Sequence, residues 1–142
     1  MRQGRELPGL SEQTEMSYAY YNENPLGKST GDCVIRAISK ALGKTWDEVY
    51  VGLCLEGFLN GDWGNSDDAW GKYLHRNGFR RHFIPDDGLG VYTVSDFAKE
   101  NPRGTFIVSM PGKHVLCVKD GTLYDSWDSS GETPSYFWKK EK

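Results

Sequence analysis

Apolar positions along the chain fall into two regimes. Between residues 33 and 78 they recur at helical spacing, and beyond residue 104 they alternate or run in short blocks, as strands require. In the first regime Val34, Ala37, Ile38, Ala41 and Leu42 form one stripe. It predicts a helix opening near Cys33, with Asp32 as N-cap and Gly43 as stop. Thr45-Trp46-Asp47-Glu48 is a capping box for a second helix, which carries Trp46, Val49, Leu53 and Phe58 inward with Cys54 as core filling, before Gly57, Gly61 and Gly64 break the pattern. Ser66-Asp67-Asp68 caps a third helix through Trp70, Tyr73 and Leu74 that Gly78 closes, with His75 on its surface.

Phe79 to Ile84 alternates as a short strand with His82 at its edge, and residues 85–90 form a loop. Thr93-Val94-Ser95-Asp96 caps a brief helix through Phe97 and Ala98. The second regime then supplies strands at Thr105 to Met110, His114 to Lys119 and Thr122 to Trp127. Pro111-Gly112-Lys113 and Asp120-Gly121 are the turns between them, and Tyr136, Phe137 and Trp138 make a last strand. Helices first and an antiparallel sheet after them is an α+β layout. Residues 1–17 are polar, include Gly4, Pro8 and Gly9, and are expected to be a flexible leader; residues 18–142 are expected to form one domain. Tyr18 to Leu26 is read as an extended segment feeding the Cys33 loop, because the residue before Pro25 avoids helix.

Composition narrows the function classes. A chain of 142 residues suits one compact domain, and a hydrophobic share of 37% provides a core for it. Lys and Arg number 17 against 20 Asp and Glu, a net charge of -3, which argues against a nucleic-acid surface as the main purpose. No apolar run is long enough to span a membrane, and no secretory signal is visible. Three cysteines, Cys33, Cys54 and Cys117, make no disulfide framework and fit a reducing, cytoplasmic compartment. His75, His82 and His114 lack ligand spacing, so neither a metal nor another cofactor is expected.

Cys33 carries the candidate chemistry. At a helix start, unpaired backbone N–H groups and the helix dipole lower a thiol pKa and make a nucleophile, whereas the plain alternative is a small residue packing that helix. The hairpin offers a partner. If Asp120 and Gly121 are its two turn residues, facing positions sum to 241, so His114 lies opposite Trp127 and diagonal to Asp125, within side-chain reach. Cys33, His114 and Asp125 are then the nucleophile, the general base and the orienting group of a thiol triad, with Asp128 on the other face. Arg36, one turn beyond Cys33, is either a clamp on Asp32 or Asp47 or a contact for an acidic substrate group. Cys117, on the parity opposite to His114, is sheet packing.

Two short runs also carry a resemblance. Gly31-Asp32-Cys33-Val34-Ile35-Arg36-Ala37 resembles the Asp-Cys-x-x-x-Ala opening of C39-like cysteine peptidases, and Tyr124-Asp125-Ser126-Trp127 resembles the Asn-Ser-Trp run of papain-type enzymes. The pattern Asp-Cys-Val-x-Arg-Ala is also similar to that of small bacterial and prophage proteins. The likeness covers roughly residues 20–138 and implies a papain-like core, helices packed on an antiparallel sheet. It also implies a Cys33–His114–Asp125 triad, with Trp127 shielding the His–Asp hydrogen bond from water. In one respect the chain departs from the family: Gly27 stands where the family places the glutamine that donates to the oxyanion, and Asn24, or else Asn22, is the substitute considered.

The expected function is thiol-dependent hydrolysis of an amide or related acyl bond in a peptide or protein substrate, without a cofactor. Glycine-rich stretches near 57–64 and 85–90 would border its cleft. The alternatives are a non-catalytic peptide-binding module displaying Tyr18, Tyr20, Tyr21, Trp63 and Tyr92, or a transferase or deamidase using the same triad.

Overall fold

Asp32 occupies the N-cap position, but its side chain caps nothing. The helix behind it, α1 (Cys33–Leu42), starts without an acidic residue in its first turn and ends at Gly43, which adopts the left-handed conformation. Capping residues set the other helices as their sequence implies. Thr45 and Glu48 form the box opening α2 (Trp46–Asn60), Ser66 accepts from the Ala69 N–H at the start of α3 (Asp67–Arg76), and Thr93 with Asp96 opens α4 (Val94–Glu100). The computed structural model describes residues 16–85 and 91–141. The expected leader lies outside these apart from its last two positions, and so does most of the 85–90 loop.

Among the described residues six strands form one sheet: β1 (Ser17–Tyr20), β2 (Phe79–Phe83), β3 (Thr105–Met110), β4 (His114–Lys119), β5 (Thr122–Asp125) and β6 (Tyr136–Lys140). Their order across the sheet is β1-β5-β4-β3-β6-β2. This corrects the expectation of a C-terminal antiparallel sheet. β1 adds to the β5 edge in parallel, Ser17 opposite Thr122 and Tyr20 opposite Asp125, so the sheet is mixed. β2, which arrives between two helices, closes the other edge against β6.

The β4–β5 hairpin has the predicted register from Cys117 opposite Tyr124 to Lys119 opposite Thr122, but β5 ends at Asp125, so Trp127 lies beyond the strand expected to reach it. Asp120 and Gly121 both take positive φ, 51° and 80°, which suits a two-residue turn matched to strand twist.

Layers of core lie on both faces of the central strands. Ile107, Val115 and Cys117 share one cluster with the inward stripes of α1, α2 and α3, including Ile38, Val49, Trp70 and Leu74. Phe106, Val108, Leu116 and Val118 share another with Val94, Phe97 and Ala98 of α4. Burial on both sides explains why β3 and β4 read as nearly continuous apolar runs.

Two expectations for α2 need correcting. It runs straight through Gly57, because the 62–64 turn packs against that position. A Cβ there would sit 2.7 Å from the Asp62 carbonyl oxygen and 2.6 Å from the Gly64 nitrogen, so glycine serves close approach and not helix termination. Cys54 and Phe58 are exposed, not core.

Candidate active site

Three elements that meet at one end of the sheet bring Cys33, His114 and Asp125 together. Cys33 is the first residue of α1, His114 the first of β4 and Asp125 the last of β5. The His114 Nε2 lies 2.6 Å from Asp125 Oδ2. The Cys33 thiol donates to the Lys113 carbonyl at 3.5 Å, and the same imidazole and the Val115 backbone N–H lie near enough to act on its titration. With Nε2 committed to Asp125, Nδ1 is the ring nitrogen left for the thiol.

Electrostatics follow from those contacts. Burial pushes the Cys33 thiol up, but the hydrogen bonds from His114 and the Val115 N–H, with the charges of His114 and Arg36, outweigh it and hold the thiol below its usual range. Burial likewise pushes the His114 imidazole down, yet its hydrogen bonds to Asp125 and Cys33 lift it from 6.5 to about 9. Each group thus favours the charged form of the other.

Asp125 is held from several sides. Its Oδ1 accepts from the Ser126 N–H at 2.7 Å, and its Oδ2 accepts from Ser129 Oγ at 2.6 Å as well as facing His114. The Arg36 guanidinium lies 3.7 Å from Oδ1. The Asp125 carbonyl takes the Tyr21 N–H at 2.8 Å and the Tyr18 hydroxyl at 3.3 Å, so β1 fixes the end of β5. Trp127 stands over the imidazole with ring centroids 5.2 Å apart, although half-exposed itself. Asp128 is exposed and accepts from the Ser130 N–H.

Arg36 is buried and reaches two carboxylates. It makes an ion pair with Asp32, one turn back, and faces Asp125 on the other side. The second Asp32 oxygen accepts the Trp46 indole N–H at 2.8 Å, which is why this carboxylate is not free to cap α1. Asp32 is thus the partner of Arg36, and Asp47 is an exposed residue at the start of α2.

The sulfur opens on a cavity of about 440 Å³ whose walls include Asn65, Asp67, Trp70, Ser109 and Tyr136. Its rim is therefore the 109–113 turn and the start of α3, not the glycine stretch at 57–64. Asn24 does not line this cavity. Its Oδ1 accepts from the Leu26 N–H at 2.9 Å, its Nδ2 points to Asp32 at 3.5 Å, and it belongs to a neighbouring cavity. Asn22 donates to the Lys28 carbonyl. Gly27, at φ 65°, serves a turn closed by its N–H on the Asn24 carbonyl.

Ser129 and Asn65 were missed in the sequence. Ser129 follows Asp125 by one short turn and carries no signal separating it from Ser126 or Ser130, and Asn65 looks like an ordinary loop residue before a cap. Of the other cysteines, Cys117 is fully buried and its thiol is pushed up to about 12, while Cys54 is exposed. Among the described residues no cluster of His, Cys, Asp and Glu could hold a metal ion, and no helix is long and apolar enough to cross a membrane. Set beside protein-family models, curated proteins and solved structures, the chain matches none of them.

Proposed function

We propose that the protein is a thiol-dependent hydrolase of amide or related acyl bonds in a peptide or protein, working on a papain-like scaffold. The observation that carries this reading is the His114–Asp125 hydrogen bond at the end of the sheet where Cys33 opens α1 and lines a cavity. In the reaction the Cys33 thiolate adds to the carbonyl carbon and forms a C–S bond. His114 delivers its proton to the leaving amine as the C–N bond breaks. The imidazole then takes a proton from water, the resulting hydroxide adds to the thioester, and the C–S bond breaks to release the acid and restore the ion pair. Asp125 keeps the ring oriented and its charge compensated throughout, with Ser129, the Ser126 N–H and Arg36 holding the carboxylate. At the helix start the Cys33 backbone N–H is one donor for the oxyanion. Asn24, the amide considered as a second donor, is engaged with Leu26 and Asp32 instead. The three free cysteines suit a reducing, cytoplasmic setting.

The test is the pH dependence of Cys33 alkylation by iodoacetamide, followed by mass spectrometry with exposed Cys54 as internal reference. Fast labelling of Cys33 persisting well below the ordinary thiol pKa of about 8.5, and slowed in His114→Ala, is the expected result. Labelling of Cys33 as an ordinary thiol overturns the proposal. A second reading, a binding module, is favoured by the exposed apolar row Val51, Leu55, Phe58 and Leu59 on α2. A transferase with the same triad would be recognised by product formation with an added amine acceptor.

A further inference from the structure

A second cavity, also about 440 Å³, adjoins the one that holds the sulfur. Gly31 and Asn65 line both, so the two cavities adjoin at these residues. Gly31 precedes Cys33 by two residues, which limits the Cα–Cα separation to roughly 7 Å. The second cavity therefore begins within about two residues' length of the residue that carries the sulfur.

Its walls combine an aromatic and aliphatic surface with the polar side chains of Lys28, Thr30 and Asn65. Trp46 and Tyr50 stack with ring centroids 5.1 Å apart. The indole N–H is spent on Asp32, so Trp46 presents only ring surface. Asp32 itself is engaged by Arg36, Trp46 and Asn24, and Asn24 is further occupied by Leu26. Ile35 completes the floor from α1. On the rim Leu26 is 77% exposed and Tyr50 47% exposed. Apolar groups this open near the thiol, with Asp32 and Asn24 engaged by other partners, make a receptacle for an apolar side chain.

We propose that this compartment is the specificity subsite of the thiol, taking an aromatic or branched aliphatic group carried next to the reacting carbonyl. The proposal rests on the hydrolase reading above and names its substrate class: acyl compounds with a large apolar substituent at that position.

Small chloroacetamides test it without assuming which side of the scissile bond faces the compartment. The Cys33 sulfur displaces chloride from the CH2 group, forming a C–S bond while chloride leaves with the electron pair. Rates are measured for chloroacetamide, its N-benzyl derivative and chloroacetylglycine, each divided by the rate with glutathione to remove intrinsic reactivity. The N-benzyl reagent is expected to exceed the parent by on the order of tenfold, as burial of one aromatic group allows, and the carboxylate reagent to show no advantage. Leu26→Ala combined with Tyr50→Ala should bring the N-benzyl to parent ratio close to unity, and Tyr50→Glu should do the same.

The ratio cancels any change in the thiol itself. If the parent reagent labels Cys33 no faster than glutathione, the triad reading fails. If it labels fast but the N-benzyl ratio is near unity, or survives both variants, the subsite fails while the triad stands. A ratio that falls only on dilution, with a change in oligomeric state, would assign the apolar rim to a second copy of the chain and also overturn the proposal.

Discussion

Replacing Asp125 by alanine tests the coupling at the centre of the site. Among the contacts that raise His114 from 6.5 to about 9, the hydrogen bond to Asp125 is the largest, and it acts against burial, which lowers the imidazole. Without Asp125 the His114 pKa falls toward 6.5 or lower. At pH 7.5 an imidazole of pKa 9 is roughly 97% protonated and one of pKa 6.5 roughly 9%, so the imidazolium that supports the thiolate drops about tenfold. The thiol moves the same way, because a Cys33 returned to an ordinary pKa of about 8.5 is roughly one-tenth thiolate at that pH, less than the lowered thiol of the parent.

A less acidic thiol is a better nucleophile once ionised, which trims the effect to a several-fold slowing of alkylation at pH 7.5. The assay is iodoacetamide labelling of Cys33 between pH 6 and 10, with Cys54 as reference and circular dichroism to verify folding. The variant profile should shift to higher pH while the limiting rate above pH 9.5 is kept. Asp125→Asn, which keeps an acceptor for Ser129 but loses the charge, should fall between. A folded Asp125→Ala protein with an unshifted profile would refute the coupling and remove Asp125 from the site.

Removing Arg36 strands two buried carboxylates, Asp32 and Asp125. Arg36→Met should therefore lose roughly 3–5 kcal/mol in denaturant unfolding, where a loss under 1 kcal/mol would make the network incidental. Gly57→Ala places a Cβ against the 62–64 turn and should cost about 1–3 kcal/mol by the same measurement. Linkage offers a further check through pH. Between about pH 6.5 and 8.5 the raised His114 makes stability fall with pH while the lowered Cys33 makes it rise, so in the parent the two contributions oppose each other. In Cys33→Ala the folded His114, still raised by Asp125, holds a proton that the unfolded chain has lost, so stability should decline as pH rises through this window. Unfolding curves at pH 6.5 and 8.5 should show a steeper decline in the variant than in the parent.

What the sequence by itself determined is local. The start of α1 at Cys33, the three side-chain caps and the Asp120-Gly121 turn each follow from interactions spanning a few residues. The turn also carried the triad geometry, since a two-residue hairpin and strand parity leave little freedom in where His114, Asp125 and Trp127 meet. Only the tertiary structure decided how those parts are held. β1 joins β5 in parallel and secures Asp125 through Tyr18 and Tyr21, a pairing across more than a hundred residues with no local signature. Arg36 bridges Asp32 and Asp125 because α1 packs on the sheet, and one cap is lost because Trp46 arrives from α2 to share Asp32. Asn24 is drawn to that same carboxylate and away from the thiol cavity. Short-range steric and capping preferences are written residue by residue. The partners of a buried charge are chosen only when distant segments close around it and leave it no water to bind.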